Sequence, residues 1–102
     1  MIKHVVCWKI KDFAEGRNKA ENISLTKDLL ISLKGKLPQI KTLEVGINMQ
    51  QDSTSNDDLV LITTHDSLSD LEAYQKHPEH VKVAEFVGKI RESRACVDFE
   101  FK

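Results

Sequence analysis

The sequence predicts an α+β domain with the element order β-α-β-β-α-β. Three observations predict it. Four segments alternate along the chain with the period of two that marks a half-buried strand, two segments repeat apolar residues at helical spacing, and Pro38 and Pro78 punctuate the helical segments. Short connections and right-handed crossovers fold that order into a four-stranded antiparallel sheet with helices on one face, the split βαβ arrangement, in which the first and third strands are central.

Ile2 to Ile10 forms the first strand, with Ile2, His4, Val6, Trp8 and Ile10 facing one way and Lys3, Val5, Cys7 and Lys9 the other, so His4 sits on a strongly apolar face. From about Gly16 to Lys36 the pattern is helical, with Ile23, Leu30, Leu33 and Leu37 on one side, and Pro38 stops it. Thr42 to Met49 alternates again, with Leu43, Val45, Ile47 and Met49 opposed to Thr42, Glu44, Gly46 and Asn48. The polar run QQDSTSNDD, residues 50–58, reads as a flexible hairpin connection. Leu59 to His65 is the third strand, apolar on both faces at its start.

Ser67 opens a short helix with Leu68, Leu71 and Tyr74 on a common face. The residue before a proline avoids the α region, so the chain turns at His77 and restarts a helix with Pro78 in its first turn. Val81, Ala84, Val87 and Ile90 give that segment an inward stripe. Arg94 to Phe101 alternates last, Ala95, Val97, Phe99 and Phe101 against Cys96, Asp98 and Glu100. With no internal repeat or low-complexity segment, one domain over residues 1–102 is expected.

The most apolar alternation of each strand should face the helices, which assigns Ile2, His4, Val6, Trp8, Leu59, Leu61, Val97 and Phe99 to the core. Val5, Cys7, Val60, Ile62 and Cys96, with Asp98, then fall on the opposite face. That is a large apolar surface to leave in water, and a second copy packed sheet against sheet, closing an α+β barrel, is the expected partner.

The charge balance of 15 basic and 16 acidic residues recommends neither nucleic acid nor an anionic membrane as partner. The apolar runs are far shorter than the roughly 20 residues needed to span a bilayer. The start, MIKHVVCWKIKD, does not read as a signal peptide, so a cytoplasmic location is the expectation. Cys7 and Cys96 have no CxxC spacing, and no glycine-rich phosphate loop is present, so no metal and no cofactor are expected.

MIKHVVCWKIKD at the start, YQKHPEHV in the middle and CVDFEF at the end resemble, in this spacing, the stress-responsive A/B barrel (Dabb) domain family across essentially the whole chain. The resemblance implies a ferredoxin-like fold that dimerises into an α+β barrel. It implies little about activity, although a plant branch includes olivetolic acid cyclase, which closes a polyketide by an aldol condensation. Carried over from that enzyme, the resemblance points to His4, Tyr74 and His80 as candidate catalytic groups. The position of a strand-three histidine falls at Leu59, which can neither donate nor accept a proton.

The expected ligand-facing set is therefore His4, Trp8, Leu59, Tyr74 and His80. His4 could be a pocket base or a core histidine satisfied by a polar neighbour, and Tyr74 could orient a ligand carbonyl or simply pack its ring with Leu71. His77 is expected to cap the following helix through a ring nitrogen, and His65 reads as a surface or junction residue. Three functions stay open: a homodimer binding a small apolar or carbonyl-containing molecule between sheet and helices, a cofactor-free enzyme of cyclase, isomerase or monooxygenase type, and a purely structural dimer.

Overall fold

The computed structural model describes residues 1–49 and 56–102. Strands β1 (Ile2–Ile10), β4 (Thr42–Ile47), β5 (Leu59–His65) and β6 (Arg91–Glu100) form one antiparallel sheet in the order β4-β5-β1-β6. Helices α1 (Lys19–Ile31), α2 (Leu68–Lys76) and α3 (Pro78–Ile90) complete a ferredoxin-like α+β fold, and a two-stranded hairpin, β2 (Phe13–Ala14) with β3 (Arg17–Asn18), precedes α1. No helix among the described residues is long and apolar enough to cross a membrane.

The first helix begins later than its apolar period suggests. Glu15 and Gly16 both adopt positive φ, 51° and 75°, the two-residue turn that matches strand twist, so the chain makes the small hairpin first. Asn18 then starts α1 with a capping box: its side chain accepts from the Glu21 N–H, and the Glu21 carboxylate accepts from the Asn18 N–H. Leu33 and Leu37 are buried as expected, but in the turns that follow α1 rather than in the helix. The expected hairpin connection over residues 50–58 lies mostly outside the described residues. Its last member is no flexible loop residue: Asp58 is buried, its carboxylate accepts from the Ile10 N–H at 2.8 Å, and Lys19 Nζ lies 3.5 Å away.

Directly paired residues of an antiparallel sheet project to the same face, so the register fixes each row of side chains. Toward the helices the rows are Leu43, Thr63, His4, Asp98; then Val45, Leu61, Val6, Cys96; then Ile47, Leu59, Trp8, Arg94. Two expectations fail here. Cys96 and Asp98 stand on the helix-facing side, while Val97 and Phe99, assigned to the core by their hydrophobicity, stand on the other side and are 61% and 44% exposed. The reason is the pairing of β6 with β1, which puts Val97 beside Val5 and Phe99 beside Lys3. Lys3 lays its ammonium over the Phe101 ring at 4.7 Å.

The core fills with Val6, Trp8, Ile10, Leu59 and Leu61 from the sheet and Ile23, Leu30, Leu71, Val87 and Ile90 from the helices. In α3 the buried stripe is Val83, Val87 and Ile90, whereas Val81 and Ala84 are exposed. Spacings of four and three hold closer to one face than the uniform spacing of three expected from Val81 and Ala84. Leu68, expected on the inner face of α2, is exposed, and only Leu71 and Tyr74 of that set are buried.

Candidate functional site

The interruption between α2 and α3 builds the site. His77 has extended backbone (φ −64°, ψ 135°), as the position before a proline favours, and its Nδ1 accepts from the Glu79 N–H at 3.1 Å, the helix cap expected of it. The same N-terminal turn carries Glu79, whose charge suits the positive end of the helix. Tyr74, in the last turn of α2, and His80, in the first turn of α3, then face the same interior, with ring centroids 4.6 Å apart.

Two more histidines meet Tyr74. The His4 ring lies edge-on at 6.1 Å and the His65 ring at 5.1 Å. His65 is thus no surface residue: it is fully buried, donates from Nδ1 to the Gln39 carbonyl at 2.7 Å, and pairs through Nε2 with the Thr63 hydroxyl at 2.8 Å. His80 donates from Nδ1 to the Gln75 carbonyl at 3.0 Å, and His4 Nδ1 is hydrogen-bonded to the Asp98 carboxylate. In the neutral form all three hold their proton on Nδ1, because each acceptor there is an oxygen without a proton. His4 and His80 therefore offer Nε2 as an acceptor.

Burial lowers the pKa of His80, against the raising effect of the Gln75 carbonyl and with further lowering from His4 and Arg94. Burial likewise lowers that of His65. The Tyr74 phenol is pushed up to about 12 by burial, and its hydroxyl finds no hydrogen-bond partner among the described residues. It stays protonated at any physiological pH and carries an unused donor.

A cavity of about 150 Å3 lies between the sheet and α3. Its apolar wall is Val6, Trp8, Leu30, Leu61, Val83 and Val87, and its polar groups are His4, Gln75, His80, Arg91 and Arg94. Of the sequence-derived set, His4, Trp8 and His80 line it. Tyr74 stands behind the two histidines rather than at a pocket mouth, and Leu59 belongs to the core beside Trp8. Sequence reasoning missed Arg91, Arg94, Asp98 and His65. For Asp98 the signal would have been the pairing of β6 with β1, which no spacing within either strand reveals.

Comparison with known proteins places this geometry. The model of the stress responsive A/B barrel domain matches residues 2–101. No curated protein matches the chain. Among solved structures, a dimeric protein of unknown function and ferredoxin-like fold from Bacteroides fragilis is 34% identical, with a TM-score of 0.84 over 98% of this chain and 95% of its own. A dimeric ferredoxin-like protein of unknown function from Thermobifida fusca is 20% identical, TM-score 0.84, over 98% and 90%. The hydroxynitrile lyase of Passiflora edulis, 14% identical, TM-score 0.80, over 99% and 93%, shares the fold.

The lowered histidine values set a pH dependence. The unfolded chain takes up protons below the ordinary histidine value of 6.5, where folded His65 and His80 still resist them. Stability is then complete above that value and falls as pH drops through it toward the depressed folded values. We expect the urea midpoint to fall between pH 7.5 and pH 5.5, and to fall less in His80→Gln; a midpoint that rises on acidification would contradict the assignment.

Proposed function

Since the chain belongs to the stress responsive A/B barrel domain family, we propose that it is a homodimer that binds one small, largely apolar molecule carrying a carbonyl or carboxylate group between sheet and helices. The cavity carries this reading. A space of about 150 Å3 with apolar walls is the size that accepts a single benzene-like ring. Its polar groups are gathered near two histidines and two arginines, a placement that favours an oxygen-bearing end on the ligand. A purely structural dimer would fill this interior with its own side chains. For binding, the expected result is a thermal shift with ring-sized carboxylates or ketones and an affinity about tenfold lower in His80→Ala, the scale of one lost hydrogen bond; equal binding by the variant would remove His80 from the site.

Homodimerisation rests on the uncovered sheet face. Val5, Cys7, Val60 and Ile62 line it with Val97 and Phe99, and no helix among the described residues covers it. The Bacteroides fragilis and Thermobifida fusca proteins of this fold are dimeric. A lysine at Val97 would bury a charge in that seam. Sedimentation should give a dimer for the parent chain and a shift toward monomer for Val97→Lys, and a parent chain that is monomeric at micromolar concentration rules the seam out.

A second reading, a cofactor-free enzyme, is favoured by one contact: the Asp98 carboxylate on His4 Nδ1. A carboxylate there orients the ring and holds its proton on Nδ1, which leaves Nε2 to remove a proton next to a ligand carbonyl. Arg91 and Arg94 lie where they can offset the charge of the resulting enolate, and the proton returns from the imidazolium. Bound ketones in heavy water should exchange their α-hydrogens at a rate that His4→Gln lowers by at least about a hundredfold. Exchange unchanged in that variant excludes the assignment.

A further inference from the structure

We propose that His4, Cys96 and Asp98 form a binding site for a thiophilic divalent cation, best matched by Zn2+. The strand register creates it. Cys96 and Asp98 are two apart on β6 and so share a face, and Asp98 lies directly across from His4 on β1. One nitrogen, one sulfur and one carboxylate oxygen of the three residues lie within 4.8 Å of one another.

The separations suit a tetrahedral ion. Cys96 Sγ is 3.7 Å from His4 Nδ1 and 3.6 Å from Asp98 Oδ1. Bonds of about 2.3 Å to sulfur and about 2.0 Å to nitrogen or oxygen, at tetrahedral angles, hold such pairs about 3.5 Å apart. The His4 and Asp98 atoms, now hydrogen-bonded, have to part. Asp98, with a side chain 37% exposed, is free to swing, while His4 at 2% is held by the core.

Charge and ligand type narrow the ion. A thiolate and a carboxylate balance a dication, so the complex is neutral and does not repel Arg94. Burial, with the Asp98 carboxylate, raises the Cys96 pKa; the Arg94 guanidinium opposes that rise and can hydrogen-bond the sulfur, as partners of metal-bound thiolates do. A mixed sulfur, nitrogen and oxygen set disfavours Mg2+ and Ca2+, which prefer oxygen alone. On binding, the Cys96 thiol gives its proton to solvent and neutral His4 shifts its proton from Nδ1 to Nε2, so one proton leaves per ion. Three protein ligands leave a fourth position for water or a ligand oxygen, the pattern of reactive rather than purely structural zinc sites.

The site shares His4 with the cavity, but Cys96 does not line it, so a Cys96 variant tests metal binding apart from small-molecule binding. The test is titration of the chelator-treated, full-length protein with Co2+ under a reductant that does not bind metal. We expect one Co2+ per chain with the strong visible absorption of tetrahedral cobalt and a thiolate charge-transfer band, both removed by one equivalent of Zn2+. Cys96→Ala should abolish the charge-transfer band, Asp98→Asn should weaken binding at least about tenfold, and Cys7→Ser should change neither. Absence of the band from the unaltered protein at saturating Co2+, or its loss in Cys7→Ser, overturns the proposal whatever the fate of the other variants.

Discussion

The structure depends on the position of β1 between β5 and β6. Its inward residues from Ile2 to Trp8 each stand in a row with one residue from either neighbour, and the rows decide what the interior contains. A slip of one residue would turn His4, Val6 and Trp8 to the open face and expose their apolar bulk, so burial of Val6, Trp8 and Ile10 enforces the register. The same register brings Asp98, from the far end of the chain, onto His4. Packing energy, spread over aliphatic side chains, thus fixes a polar contact that could not set the register by itself.

A second constraint acts on the helices. Residues six apart on a continuous α-helix are about 240° apart around its axis, so Tyr74 and His80 could not share one face of an unbroken helix. Pro78 removes the helical N–H and holds His77 extended, and His77 then ends one helix and caps the next: its N–H donates to the Tyr74 carbonyl, its ring accepts from Glu79, and its carbonyl accepts from Val81. That double use brings two rings from separate helices to 4.6 Å. The HPEHV motif is therefore a joint and part of the candidate site together.

Most of the fold was legible because each strand and helix carries its own period. β5 was read to its ends, and the α2–α3 break followed from a single proline. What was not legible came from pairing and edges. Hydrophobicity assigns Val97 and Phe99 to the core, yet apolarity marks only that a face is covered, and a strand whose two faces meet different neighbours gives no sign of which is which. His65 looked like a junction residue because its neighbours in sequence are polar, whereas its partners, the Gln39 carbonyl and Tyr74, come from elsewhere in the chain. Val83 and His80 share a face at a spacing of three, and that pairing was the available sign that α3 turns His80 inward.

The interior is costly for a protein that needs only a core. Tyr74 buries a hydroxyl with no partner among the described residues, a loss of about 1–3 kcal/mol that a phenylalanine would avoid. His4 and His65, at 2% and 0% exposure, bury imidazoles with polar partners where aliphatic side chains of similar volume would pack without desolvation cost. His4, His65 and His80 each use Nδ1 to donate to an oxygen, which orients the ring and sets its tautomer. Locking the rings has no packing benefit that leucine would not give more simply, but it does hold Nε2 of His4 and of His80 ready beside an apolar space. Leu59, in contrast, is plain aliphatic core beside Trp8. Of the polar groups in the interior, His4 and His80 border the cavity and Tyr74 and Asp98 contact them, whereas Asn22, Thr26 and Asp58 are buried without lining it.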